Sequence, residues 1–352
     1  MHTTVSIRRI LAGEPARASA PCRVDAGGTW DIKAMALPFE GLCPTTVNAA
    51  LTLRTAVVLS PHDDGWIRIS SEGFSLQEEQ HIDDLRFAPP FGLFLAAVSH
   101  FGFHGLGIRI RSQAPVRSAL GGSSTALVAL IRALAGISAR MGRKKISRRD
   151  ILHLAYHLED GVSGGNCGLQ DQAAAVYGGV HQWKWRDGRP GTPYERIRLL
   201  DARGQRELSE RLLVAFSGIG HSSSPVNRGW IEDFLSGRTR SGWIRANECV
   251  HRFAGALREK DWSGAARCLR EETAVRREIT PGALIPLTAA LVDRAEEAGC
   301  GARFAGAGAG GCVWALGEAE DIARLRPVWN AALRRAEGGK VLDCRVATKG
   351  VE

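Results

Sequence analysis

One short stretch of this 352-residue sequence places the residues of an anion site together. Gly121-Gly122-Ser123-Ser124-Thr125 follows Pro115 and opens an apolar run of helical spacing that continues to Leu134. A helix N-terminus exposes unpaired N–H groups and the positive end of its dipole, and glycines before it let an anion reach the backbone. The hydroxyls beside them suit phosphate oxygens or a magnesium ion. The same residues also suit a plain helix cap with small neighbours, and spacing alone leaves both open. A second glycine cluster, Gly306, Gly308 and Gly311 followed by Val313, fits the spacing of the protein-kinase glycine loop and of the dinucleotide fingerprint. Its position argues against both. About 40 residues follow it, without H-R-D or D-F-G, and the chain continues as the strand-like CVWAL where the dinucleotide motif needs a helix.

Other constellations carry less. No G-x-x-x-x-G-K-[ST] pattern is present, which excludes an ordinary P-loop NTPase. Gly161-Val162-Ser163-Gly164-Gly165 spells a nucleophile elbow, but it follows a helical run where that motif needs a strand. His153 and His157 share a helix face, yet Leu154 stands where H-E-x-x-H needs glutamate.

The elements that must position these residues follow from periodicity. Val47–Ser60, Trp66–Ser70 and Leu106–Arg111 read as strands. A helix is expected from near Ser124 to about Met141, and a second opens at Ser147, with Asp150 as its capping partner, and runs to about Asp160. A small-residue helix spans Asp171–Val176, and strands follow at Val180–Trp185 and Leu212–Phe216. The polar stretch Arg186–Tyr194 reads as a turn. Helices then dominate from Trp230 to Ile279 and recur at Leu284–Ala298 and Asp321–Ala336, with strand, glycine turn and strand between the last two. Strands and helices without regular alternation indicate an α+β class. The length suits two domains, expected at 1–200 and 201–352.

Composition sets the outer bounds. The formal net charge of +9 favours anionic small partners such as nucleotides and sugar phosphates. The basic residues are spread along the chain, and no nucleic-acid-binding signature accompanies the run at Arg143-Lys144-Lys145, so no nucleic-acid partner is expected. No uninterrupted apolar stretch approaches roughly 18 residues and no apolar leader is evident, so a cytoplasmic protein without a membrane partner is expected. The eight cysteines form no C-x-x-C pair, consistent with free thiols rather than zinc or disulfides.

Five segments, in order, resemble the GHMP kinase superfamily: SAPCRVDAGGTWD, PVRSALGGSSTAL, GLQDQAAAVYGGVHQW, LLVAFSGIGHSSS and ARFAGAGAGGCVWAL. The run LAYHLED…GLQDQAAAVYGG is most similar to sugar 1-kinases of the heptose 7-phosphate and fucose kinase type. The resemblance implies a two-domain fold, an N-terminal ribosomal-protein-S5-like ATP-binding domain and a C-terminal ferredoxin-like α/β domain. It implies ATP and Mg²⁺ as cofactors and transfer of the γ-phosphate to a sugar hydroxyl, the anomeric hydroxyl of a hexose or heptose, free or already phosphorylated. A monomer or homodimer is expected.

The resemblance also assigns residues. Asp171 takes or orients the acceptor proton, with Arg23 beside the transferred phosphate; by residue type alone Asp171 would equally suit a helix cap. Leu120, Gly121, Gly122, Ser123, Ser124 and Thr125 bind ATP, and Ser124 with Glu159 holds magnesium. Asp31, Gly168, Gln172, Ser222, Ala307 and Gly308 line the acceptor site. The chain departs from the pattern at Ala119, where a loop glycine is usual, at Thr29-Trp30-Asp31, one residue short, and at His221, where the sugar kinases have arginine. Two other readings fit the same segments: a kinase of a non-sugar alcohol such as homoserine or mevalonate, and a non-catalytic binder of nucleotide or sugar. The presence of both Asp171 and Glu159 favours catalysis.

Overall fold

The computed structural model describes residues 4–73, 75–186, 188, 192–220 and 223–352. Its first half is organised by one long strand. β1 (Val5–Ser6) and α1 (Arg8–Gly13) lead into β2 (Ala16–Ala26), and a short helix α2 (Lys33–Ala36) precedes β3 (Thr45–Pro61). β3 is 17 residues long and rich in Val, Leu and Thr, which suit a pleated surface. Its first half is buried throughout. From Leu51 onward burial alternates, because there one face meets solvent. β2 pairs along one edge of β3. The other edge is shared: β7 (Leu106–Ser112) pairs with Thr55–Pro61 and β8 (Val180–Trp185) with Thr45–Ala49. β4 (Trp66–Ser71), β5 (Leu76–His81) and β9 (Tyr194–Arg198) complete seven strands, while β6 (Phe103–His104) pairs separately with β1.

Four helices follow, two of which lie directly on this sheet. α3 (Gly92–Phe101), α4 (Gly122–Arg140) and α5 (Arg148–Val162) pack on one another, and α6 (Gln170–Tyr177) lies against α4 and β2. Within the described residues α4 alone is long and apolar enough to cross a membrane, but most of its surface is buried in this core. α5 starts where the sequence indicated: Ser147 and Asp150 form a reciprocal capping box.

The second half is a four-stranded antiparallel sheet with strand order β11-β12-β10-β13. After α7 (Ala202–Glu210) come β10 (Leu212–Phe216), α8 (Ser223–Leu235), α9 (Arg240–Glu259), α10 (Trp262–Ile279) and α11 (Pro286–Glu297). β11 (Gly301–Phe304), β12 (Cys312–Leu316), α12 (Ala319–Leu333) and β13 (Lys340–Leu342) follow. This is a βαββαβ arrangement of ferredoxin-like type with extra helices in its first crossover. The two-domain fold and α+β class are those expected from the sequence. All eight cysteines are free.

The end of the chain returns to the first domain. Leu51 bridges to Val346, Thr52 N–H donates to Arg345 O at 2.8 Å, and Ser19 and Glu352 exchange both backbone hydrogen bonds at 3.0 and 2.9 Å.

Candidate active site

Arg23 lies on β2 just past a register shift against β3, between Pro21 and Arg23. Such irregularities bend a strand and re-aim its side chains. The Arg23 Nε donates to Asp171 Oδ1 at 2.6 Å and Nη1 donates to Ala119 O at 2.6 Å. Burial would lower the Arg23 pKa, but Asp171 and Asp25 outweigh it and raise it. Asp171 sits in the first turn of α6 and retains about a quarter of its side-chain exposure. It is not the helix cap that residue type also allowed. Leu169 occupies that position without a side-chain cap, and the Asp171 carboxylate is turned to Arg23 and the cavity.

The glycine loop faces this pair. Gly121 has φ +75°, a left-handed conformation, and a Cβ there would stand 3.1 Å from the Asp171 Cγ. α4 begins immediately after it with no side-chain cap, so its first N–H groups are left to a ligand or water. Thr125 Oγ1 donates back to Gly121 O at 2.7 Å, fixing the turn. Ser123 is exposed and Ser124 buried. Both hydroxyls lie close enough to the Glu159 carboxylate to favour its charged form, and Gln172 Nε2 donates to its Oε2 at 2.6 Å. Withdrawal from water raises the Glu159 pKa to about 7, with no cation paired to it among the described residues.

Asp31 lines the same cavity. It is 3% exposed, and its two oxygens accept from Thr29 N–H at 2.9 Å and Gln170 N–H at 3.0 Å. Burial, and after it the nearby Asp171 charge, pushes its pKa up to about 7 against the opposing backbone bonds. A Cβ at Gly168 would overlap the Asp31 carboxylate, so this approach requires glycine.

These residues share one cavity of about 370 Å³. Arg23, Asp31, Gly121, Gly122, Ser123, Ser124, Glu159, Gly168, Asp171 and Ala307 line it. Phe91, Phe94, Ile110 and Val116 give it an apolar wall, and Ser163, Asn166 and Asn227 add polar groups. Leu120 is buried behind the loop, its carbonyl accepting from Arg23 N–H at 3.1 Å. Gln172 is buried and reaches the site through Glu159. Gly308 packs against Ala283 O and Phe304, and Ser222 and His221 lie outside the described residues.

Two charged residues at the site's base were not singled out from sequence. Asp25, 1% exposed, accepts from Gly306 N–H at 2.7 Å and from Arg303 Nη1 at 3.0 Å. The spacing Arg23-x-Asp25 was the available signal, since i and i+2 share one face of a strand. Nothing in the sequence pairs Asp25 with Arg303, which arrives from the other sheet.

Comparison with protein families matches the GHMP kinases N terminal domain over residues 91–179 and the GHMP kinases C terminal domain over residues 253–335. No curated protein matches the chain. Among solved structures, the chain is similar to a D-glycero-D-manno-heptose 1-phosphate kinase from Bacteroides thetaiotaomicron, at 19% identity and TM-score 0.67, covering 96% of this chain and 98% of that one. It is similar to Lactococcus lactis galactokinase complexed with galactose, at 16% identity and TM-score 0.72, covering 98% of each chain. It is also similar to Streptococcus pneumoniae phosphomevalonate kinase in complex with phosphomevalonate and AMPPNP, at 14% identity and TM-score 0.73, covering 94% of this chain and 99% of that one. The chain thus matches the models of the two GHMP kinase domains, in order, and has the two-domain GHMP kinase fold.

Proposed function

We propose that this protein is an ATP-dependent kinase that transfers the γ-phosphate to a sugar hydroxyl, the anomeric hydroxyl of a hexose or heptose being the preferred acceptor. The observation that carries this reading is the placement of Asp171, held by Arg23, directly across from the uncapped start of α4 in one cavity. Phosphoryl transfer asks a protein mainly for positioning and charge neutralisation. The apolar wall of Phe91, Phe94, Ile110 and Val116 suits a nucleobase, and the α4 N–H groups with Ser123 suit its phosphates. Asp171 then accepts or orients the acceptor proton, and Arg23 stands beside the transferred group.

Magnesium fits the residues present. Glu159 is a carboxylate withdrawn from water without a paired cation, and Ser124 supplies a hydroxyl next to it, an all-oxygen donor set of the kind magnesium takes. Bound there, the ion supplies charge neutralisation to the triphosphate. Asp31, Asn166 and Asn227 offer hydrogen-bonding groups to a polyol acceptor.

The test is ATP consumption by purified protein, with and without Mg²⁺, against free and phosphorylated hexoses and heptoses, homoserine and mevalonate. Product identity follows from ³¹P NMR. Magnesium-dependent turnover with a sugar is expected. Turnover confined to a non-sugar alcohol would overturn the sugar assignment, and tight AMPPNP binding without turnover on any acceptor would overturn the kinase reading.

A further inference from the structure

A line of five charges, alternating in sign, runs from the cavity into the second domain: Asp171, Arg23, Asp25, Arg303 and Glu272. Arg23 Nη1 lies 3.2 Å from Asp25 Oδ1, longer than the 2.6 Å contact of its Nε with Asp171. The other oxygen of Asp25 is taken by Arg303 Nη1 at 3.0 Å, and Arg303 Nε donates to Glu272 Oε2 at 2.8 Å. Asp25, Arg303 and Glu272 are all buried, with relative exposures of 0–1%. Arg303 also donates to Asp25 O and Phe304 O, and Trp314 Nε1 donates to Asp25 O, so β11 and β12 hold this stretch of β2 from below. Burial disfavours the charged Asp25, but Arg303, Arg23 and the Gly306 N–H together keep its pKa below the ordinary carboxylate value.

We propose that Asp25 and Arg303 are positioning residues for phosphoryl transfer, fixing the Arg23 guanidinium so that its Nε stays on Asp171. The proposal rests on the kinase reading above. An arginine side chain has several rotatable bonds, and an incoming phosphate competes for its guanidinium. Asp25 supplies the charged anchor for the Nη1 end of Arg23 against that pull, beside the neutral Ala119 carbonyl at 2.6 Å. Asp25 alone would attract Arg23 away from Asp171; Arg303 occupies one Asp25 oxygen and leaves the weaker contact to Arg23. The aim of Arg23 therefore depends on docking of the four-stranded sheet, which supplies Arg303 and Gly306.

The test compares Asp25→Asn, and the charge-balanced pair Asp25→Asn/Arg303→Gln, in the wild-type and Arg23→Lys backgrounds of the full chain. The pair leaves no unmatched charge from the removed contact and stands in if the single variant does not fold. Lysine at 23 has no second arm with which to bridge Asp171 and Asp25. In the wild-type background kcat is expected to fall about 10-fold or more, with KM for ATP and acceptor changing less than about 3-fold. In the Arg23→Lys background the same change is expected to lower kcat less than about 2-fold, the non-additivity of residues acting through one another. Equal losses in both backgrounds, or a loss confined to KM, would overturn the proposal. A second readout needs no turnover: the Arg23 Nε–H signal in ¹⁵N NMR of the free protein, slowed in solvent exchange by Asp171, is expected to lose that protection in the pair variant. Retained protection overturns the proposal whether or not an acceptor is found. Failure of the wild-type protein to phosphorylate any acceptor, with protection lost as expected, overturns the kinase reading and the catalytic part of the proposal, while the hold on Arg23 stands.

Discussion

Gly168→Ala isolates the role of Asp31 without replacing an ionisable residue. A methyl group at 168 would overlap the Asp31 Oδ2 and Cγ and stand 2.9 Å from Oδ1. The backbone at 168 has no left-handed φ, so the effect is contact and not conformational strain. The carboxyl group must leave, or the segment carrying Gln170 must retreat. Either way Asp31 loses the N–H of Thr29, of Gln170 or of both, and those buried donors lose their acceptor. Leaving a buried donor unsatisfied costs about 1–3 kcal/mol each. Against this, alanine restricts the unfolded chain and returns about 0.4–1 kcal/mol. The contact wins, with a net loss of about 1–3 kcal/mol, which should lower Tm by a few degrees. The acceptor KM should rise on the order of 10-fold, a change of about 1.4 kcal/mol, while AMPPNP affinity should change little because the nucleotide is assigned to the Gly121–Ser124 loop and not to Asp31. Thermal melts, acceptor titrations and AMPPNP calorimetry measure the three effects. The double variant Gly168→Ala/Asp31→Ala should be no less stable than Asp31→Ala alone, since the obstacle is then gone. A Gly168→Ala protein with wild-type Tm and wild-type acceptor KM would refute the reasoning.

Asp171→Asn removes the charge but keeps the shape; turnover should fall on the order of 10²-fold or more, with AMPPNP affinity nearly unchanged, and near-normal turnover would remove Asp171 from the mechanism. Gly121→Val forces a β-branched residue to φ +75° beside Asp171, where left-handed backbone costs about 1–2 kcal/mol; a folded protein with at least about 10-fold weaker AMPPNP binding is expected, and unchanged affinity would reduce the turn to a helix start. Asp31 titrates in the fold near 7, above its ordinary 3.8, so its contribution to stability is complete below about pH 4 and is lost as pH rises through 7. Asp31→Asn should therefore gain Tm relative to the wild type between pH 5 and 8. Buried histidines such as His181, lowered by burial, act in the opposite sense but are shared by both proteins and cancel in that difference; parallel Tm curves would contradict the assignment.

Local chemistry made much of this legible in the sequence. β8 and β10 occupy the spans their apolar runs indicated, and α5 opens on the Ser147–Asp150 box because a capping pair acts within four residues. α4 starts two residues before Ser124, at Gly122, since the left-handed turn ends at Gly121. β2 was not legible as a strand. Its alanines, proline and charged residues have weak strand preference, and it exists because β3 pairs along it. The same applies to the site's base. Arg23 and Asp171 could be picked out by motif, whereas Asp25–Arg303 and the cation–π cage of Trp230, Trp243 and Phe304 around buried Arg276 are products of long-range packing.

Pairing of Ser19 with Glu352 has a consequence for how the chain matures on the ribosome. The last strand of the seven-stranded sheet ends at Arg198, so about 150 further residues must be translated before the segment that borders β2 emerges. At roughly 5–20 residues per second this takes on the order of 10–30 s. Throughout that interval the Ser19 region of β2 presents open backbone donors and acceptors, the kind of edge on which nascent chains associate. Pairing along this edge of β2 therefore waits until the second domain has been made. The first domain's closing stitch is supplied by residues 345–352, which ties early structure to later translation.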